Sequence, residues 1–280
     1  MQSSEMMYLP VEQLHLRAQA LVAKFEQEGE TNYIHEAIGL DREALELCPP
    51  GHPKRIVSLN WLAIHLSYRC DQLGATTDLD EATALDREVL DLRPQAHHDR
   101  SISLFSLAVH LSARYEQLGI MQDLDEAIVL GREALGLHPR GHPRRSRSLN
   151  NLAITLSNRY EQFGAMEDLN EAIVLGQEAL NLCPEGHPDR SISLNDLASR
   201  LSTWYSRLGE MEDLDVAIVL IREALELRPQ GHPHRSMSLN NLAIALSSRY
   251  KQLGAMEVLD ESSEKHLTFA RRDTLIGQRP

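Results

Sequence analysis

A 45-residue period runs through nearly the whole chain and restricts its fold more than any other feature. Arg55, Arg100, Arg145, Arg190 and Arg235 occupy one column, preceded by GHPKR, AHHDR, GHPRR, GHPDR and GHPHR. Gly29, Gly74, Gly119, Gly164, Gly209 and Gly254 keep the same spacing, so a shortened first unit precedes five longer ones. A chain of 280 residues would otherwise suggest two ordinary domains. Repeats of this length instead form arrays in which each unit is buried against its neighbours.

The copy from Arg145 to Glu185 serves as the ruler. Its first segment, SLNNLAITLSNRYEQFG, spaces Leu149, Leu152, Ala153, Leu156, Tyr160 and Phe163 by three and four, the stripe of an amphipathic helix. Gly164 ends it. The second, DLNEAIVLGQEALNLCP, places Leu169, Ala172, Ile173, Ala179, Leu180 and Leu182 on another stripe, closed by Pro184. Asp168 with Glu171 reads as a capping start in which each carboxylate accepts a first-turn N–H, and Asp123/Glu126 and Asp78/Glu81 repeat it. The GHP link supplies a glycine for the turn and a proline near the first helical position. No segment alternates with the period of a strand, so the chain is predicted to be all-α, a series of antiparallel helix pairs. A single pair cannot cover its own apolar stripe, and stacking the pairs produces a right-handed α-solenoid of about six units. The expected boundaries are a flexible N-terminus over 1–9, an array over 10–260 with turns near 51, 96, 141, 186 and 231, and a degenerate capping helix and tail over 261–280. In that last segment Ser262 and Ser263 replace the usual Ala and Ile.

The pattern L-A-x-x-L followed by E-A-I, A-L and Pro resembles the tetratricopeptide repeat. Ala172, Ala179 and Pro184 keep that family's spacings of seven and five. The LNNLA and GHP elements are similar to the long variant of kinesin light chains. LSNRYEQFG with DLNEAI resembles fungal tetratricopeptide proteins that often carry a CHAT protease or NTPase module elsewhere. The resemblance implies an α-solenoid that binds proteins. It also implies that the first helices line a concave groove.

Composition narrows the function. With 28 Lys+Arg against 41 Asp+Glu the formal charge is −13, which argues against nucleic acid as a partner. Cys48, Cys70 and Cys183 show neither a disulfide framework nor ligand spacing, and read as buried thiols in a reducing, cytoplasmic setting. No run approaches the ~18 apolar residues of a membrane span. Phosphate-loop, dinucleotide, zinc-protease and serine-hydrolase signatures are absent, so no enzymatic activity and no cofactor are expected.

Several columns are candidates for function. His52, His97, His142, His187 and His232 precede the first helices, but equivalent residues of stacked units lie ~8–10 Å apart, too far for one metal. Each is expected to serve its own turn, with His97 and His98 the exception to watch. The Arg55 column sits where a cation opposes the helix dipole, so it is expected to pair with an acid such as the one opening a second helix, or else to capture an acidic partner. By the family resemblance, Asn60, Phe105, Asn150, Asn195 and Asn240 face the groove. There the asparagines either hold a peptide backbone or let neighbouring helices approach. The variable columns Trp61, Ser106, Asn151, Asp196, Asn241 and His65, His110, Thr155, Arg200, Ala245 lie opposite the core stripe by 100° steps and are expected to face solvent or ligand. Trp204, in a column otherwise of Lys and Arg, is an anchor or a packing residue. The resulting expectation is a non-catalytic scaffold binding a peptide or protein, the groove residues being Asn60, Trp61, Phe105, Asn150, Asn195, Arg200, Trp204 and Asn240. The alternative is a regulatory or sensing arm of a larger signalling protein.

Overall fold

The computed structural model describes residues 2–95 and 97–254, with side chains from Pro10 onward. The segment expected as a degenerate cap, 261–280, lies outside the described residues. The chain divides into two compact units, Met1–Asp168 and Leu169–Pro280.

Every described element is helical. The first unit holds α1 (Gln2–Glu28), α2 (Thr31–Glu46), α3 (Arg55–Leu73), α4 (Thr77–Asp91), α5 (Arg100–Leu118), α6 (Met121–Gly136) and α7 (Arg145–Phe163). Helix α8 (Met166–Asn181) leads into the second, which holds α9 (Arg190–Leu208), α10 (Met211–Glu226) and α11 over 235–254. Within the first unit each helix packs on the next in chain order, and α9 packs on α10 in the second. Helix α1 begins ahead of the array start expected at residue 10, with Pro10 inside it.

The apolar stripes build the cores as the spacing predicts. Leu149, Leu152, Ala153, Leu156 and Tyr160 are buried, as are their equivalents Leu59, Leu62, Ala63, Leu66 and Cys70. Phe163, placed on the same stripe by the sequence, is instead 65% exposed, because it is the last residue before the turn. In the first unit Phe25, Ile34, Ile38, Leu62 and Leu66 form one cluster. In the second, Leu214, Ala217, Ile218 and Ile221 meet Ala198 and Ala245.

Gly74, Gly119, Gly164 and Gly209 end their helices at φ between 68° and 79°, a left-handed conformation costly for a residue with a Cβ. Each donates its N–H four residues back, as Gly164 does to the Tyr160 carbonyl at 2.7 Å. Gly254, assigned to the same column, lies inside α11 without positive φ.

The start of each first helix differs from the expectation. Pro53 precedes α3 by two residues rather than entering it, and Lys54 holds the cap position without a side-chain cap bond. The column histidine takes that role. His52 Nδ1 accepts from Lys54 N–H at 3.2 Å, and His97, His142, His187 and His232 accept likewise at 3.1–3.2 Å. The histidines thus satisfy their own turns. His97, His98 and Asp99 also bring their ligand atoms within 4.8 Å of one another.

Candidate functional site

Two arginine columns organise the junctions, one of them unanticipated. Arg55, at the start of α3, bonds the Cys48 carbonyl just beyond α2 at 2.7 Å and Glu88 in the last turn of α4 at 2.5 Å. Arg100 repeats this with the Arg93 carbonyl and Glu133, and Arg190 with the Cys183 carbonyl and Glu223. The cation opposes the dipole of its own helix but sits on the negative end of the preceding one. The pairing is internal, as expected, but the acid closes a second helix rather than opening it.

The acids that open the second helices are held by the other column. Arg69 grips Asp78 through Nε and Nη2 at 2.6 and 2.7 Å, Arg114 grips Asp123 at 2.6 Å twice, and Arg159 grips Asp168 at 2.8 and 2.7 Å. The cap residues of α4 and α6, Thr76 and Ile120, make no side-chain cap bond, and Asp78 and Asp123 within the first turns serve as clasp partners. Paired charged hydrogen bonds in a planar fork outweigh a single bond to an amide. The clasps raise the proton affinity of Arg69, Arg114 and Arg159, chiefly through those hydrogen bonds.

Trp204 replaces the clasping arginine, and Asp213 stands nine residues on, as Asp78 stands from Arg69. Trp204→Arg is expected to couple to Asp213 by about 0.5–1 kcal/mol. The coupling is read as the difference between its urea-midpoint shifts in the Asp213 and Asp213→Asn backgrounds. Equal shifts would show that the clasp does not re-form.

The column His65, His110, Thr155, Arg200 and Ala245 is buried, with exposures of 1–6%, contrary to the solvent-facing placement expected from helical steps. Counting angles on one helix omits the flank that packs on an adjacent unit. Arg200, at 5% exposure, is therefore enclosed rather than open to solvent. Gly176 lies across from it, where an added Cβ would come within 3.1 Å of Arg200 Nη1.

The same column carries a polar network that sequence reading missed. Asp41, wholly enclosed, bonds His65 Nδ1 at 2.5 Å and His15 Nδ1 at 3.1 Å, while His15 Nε2 meets Ser58 Oγ at 3.0 Å. Asp86 and His110 repeat the acid–imidazole pair at 2.6 Å. Ser58, His15 and Asp41 follow the order of a hydrolase relay. Ser58 has no exposed surface, so this row serves as a hydrogen-bond chain between helices. The signal available in the sequence was the recurrence of Asp and His 24 residues apart in two units.

The asparagine column divides. Asn195 is 2% exposed, and its Oδ1 accepts from Ser238 at 3.0 Å and Asn241 at 3.4 Å, which matches the packing alternative. Asn150 is buried as well, at 8% exposure. Asn60, Trp61, Phe105 and Trp204 are half-buried, and Asn240 is exposed. In the second unit a 280 Å³ cavity between α9 and α11 is walled by Ser199, Thr203, Asn241, Ile244 and Ser248. Thr203 and Tyr205 of its wall flank Trp204. No described helix is long and apolar enough to cross a membrane.

Residues 146–189 match the family model of the tetratricopeptide repeat. Among solved structures, the chain is similar to a Podosopora anserina protein with nearly identical TPR-like repeats, assigned as a kinesin light chain, at 21% identity and a TM-score of 0.53. That match covers 75% of this chain and 95% of the other. A single-substitution form of the same protein matches at 20% identity and a TM-score of 0.55, covering 78% and 98%. A thermophilic TPR protein of Thermus thermophilus matches at 19% identity and a TM-score of 0.54, covering 81% and 99%. No curated protein sequence matches the chain.

Proposed function

We propose that this chain, which carries a segment matching the tetratricopeptide repeat and has the fold of such proteins, is a non-catalytic scaffold that binds a protein or peptide through its first helices. The fold generally serves protein–protein interaction, since stacked pairs present extended surfaces without supplying reactive groups. The cavity between α9 and α11 carries the reading. It is the size of a side chain and lined by hydroxyls and an amide that can donate or accept, with Ile244 half-exposed beside them. Trp204 at its edge, and Trp61 and Phe105 in the first unit, supply aromatic surface of the kind that dominates interface energetics.

Binding is expected from many modest contacts with a few aromatic anchors. Affinity capture from native lysate with the wild-type chain should retain a partner that a Trp61→Ala, Phe105→Ala, Trp204→Ala chain, folded by circular dichroism, binds at least about tenfold more weakly. Equal retention by both would place the binding surface elsewhere.

A further inference from the structure

In a chain of net charge −13, one cavity of the first unit is lined with basic residues. It measures 190 Å³ and lies between the starts of α5 and α7, walled by Ile102, Phe105, His138, Arg144, Arg147 and Ser148, with no acid among them. His138 is 1% exposed; its Nδ1 meets Ser148 Oγ at 2.8 Å, while its buried Nε2 finds no partner among the described residues. Such an orphaned polar atom is rare in a folded interior and costs stability unless something occupies the site.

The neighbouring units differ at this position. The His138 column reads Cys48, Arg93, His138, Cys183 and Arg228, each beside a serine ten residues on. Arg93 reaches Ser103 at 2.8 Å and the Asp99 carbonyl at 3.1 Å, and Arg228 bonds Ser238 and the His234 carbonyl at 2.6 and 3.2 Å. A long cation thus occupies the junction in those units, with Asp99 also close to Arg93. His138 is shorter than that arginine, and the cavity lies beside it. The cap position is acidic at α5 and α9, Asp99 and Asp189, and basic at α7, Arg144, as it is at α3, Lys54, with no side-chain cap bond. An acid there would complement the positive end of the helix, and arginine opposes it.

Burial lowers the proton affinity of His138, and nearby His142, Arg144 and Arg145 lower it further, so the ring is neutral near neutral pH. Where the Ser148 hydroxyl donates to Nδ1, the ring hydrogen resides on Nε2, the atom left without a partner in this cavity-lining residue.

We propose that this cavity binds an oxyanion, a phosphate or carboxylate carried by a partner, which accepts from His138 Nε2–H and the Arg144 and Arg147 guanidiniums at the N-terminus of α7, while Ile102 and Phe105 contact the apolar group bearing it. The site supplies the three things an oxyanion needs: cations, a helix N-terminus and a buried donor. The carrier being a protein rests on the scaffold reading; the oxyanion site does not, and small probes test it separately.

The full chain, with ¹⁵N-labelled histidine and arginine, is titrated at constant ionic strength with inorganic phosphate, N-acetylphosphoserine methylamide and N-acetylglutamate methylamide. Saturable shifts are expected at His138 Nε2 and Arg144 Nε, weakened at least about tenfold in Arg144→Asp, where a lost charged hydrogen bond is worth ~1.5–3 kcal/mol. His138→Arg places in the cavity the residue found at 93 and 228, so it should fold and abolish the Arg144 response. Tighter binding of the phosphoserine or glutamate probe supports the corresponding side chain as the natural source, and phosphate equalling both supports a free ion. Absence of a saturable shift with all three probes, or an unchanged response in Arg144→Asp, would overturn the proposal. Either result would leave the scaffold reading to its own capture experiment.

Discussion

Asp41→Ala is expected to destabilise the first unit by about 3–5 kcal/mol, the usual cost of removing one member of a buried charged set. Asp41 has no exposed surface and joins His15 on α1 to His65 on α3, so its loss leaves two imidazoles from different helices facing a void. Hydrogen exchange should show α1–α3 opening first, with α9 and α10 protected as before. Near-uniform loss of protection would mean that the array unfolds as one cooperative block. The acid limb follows from the same carboxylate. Burial pushes its proton affinity up, but the hydrogen bonds from His15 and His65 and their charge outweigh burial and hold it below the usual value. A depressed carboxyl contributes fully above the unfolded value, about pH 4, and loses its contribution as pH falls through the folded value. The stability gap between wild type and Asp41→Asn should therefore hold its Asp41 component above about pH 4 and shrink below. A gap that widened on acidification would show that Asp41 is not the ionised partner.

Arg114→Ala is expected to cost about 2–3 kcal/mol, somewhat less than a fully enclosed pair because the guanidinium is partly exposed. Asp123, at 3% side-chain exposure, would remain as a carboxylate with both its forked bonds removed. The loss also cuts the 3.1 Å link from Arg114 to Asp80 on α4. Arg114→Lys should recover less than half of it, because an ammonium cannot make the two parallel bonds of a guanidinium. Urea unfolding of the three chains measures this. Full recovery by lysine would reduce the clasp to a simple charge effect.

The fold was legible because its signals were periodic and local. Leu149, Leu152 and Leu156 declared a helical face by spacing, and Gly74, Gly119, Gly164 and Gly209 declared its end by conformational necessity. The site was less legible because it depends on which flank of a helix meets the next unit. Arg200 stands 100° steps away from the core stripe and yet is buried, since a first helix in an array is covered on its sides as well as on its apolar face. The 55 and 69 arginine columns look alike in sequence; only the fold shows that one meets the end of a second helix and the other its start. Phe105 was identified as the odd member of an asparagine column. The basic cavity beside it gathers His138, Arg144 and Arg147 from a turn and a helix start, a grouping that no motif records.

The buried pairs between successive units are not all alike: Asp41 with His65 and Asp86 with His110 match, but Gly176 stands against Arg200 and Ile221 clusters with Ala245. Units this alike in sequence invite unequal recombination, which adds or deletes whole copies without disturbing the reading frame. Excising residues 100–144 would deliver Thr155 to the place where Asp86 requires an imidazole, stranding a carboxylate in a sealed junction. Deleting a whole copy is therefore expected to cost stability where it joins mismatched partners, as at Asp86, and to be tolerated where it rejoins Asp41 to His110, so the order of the copies is written into their buried contacts.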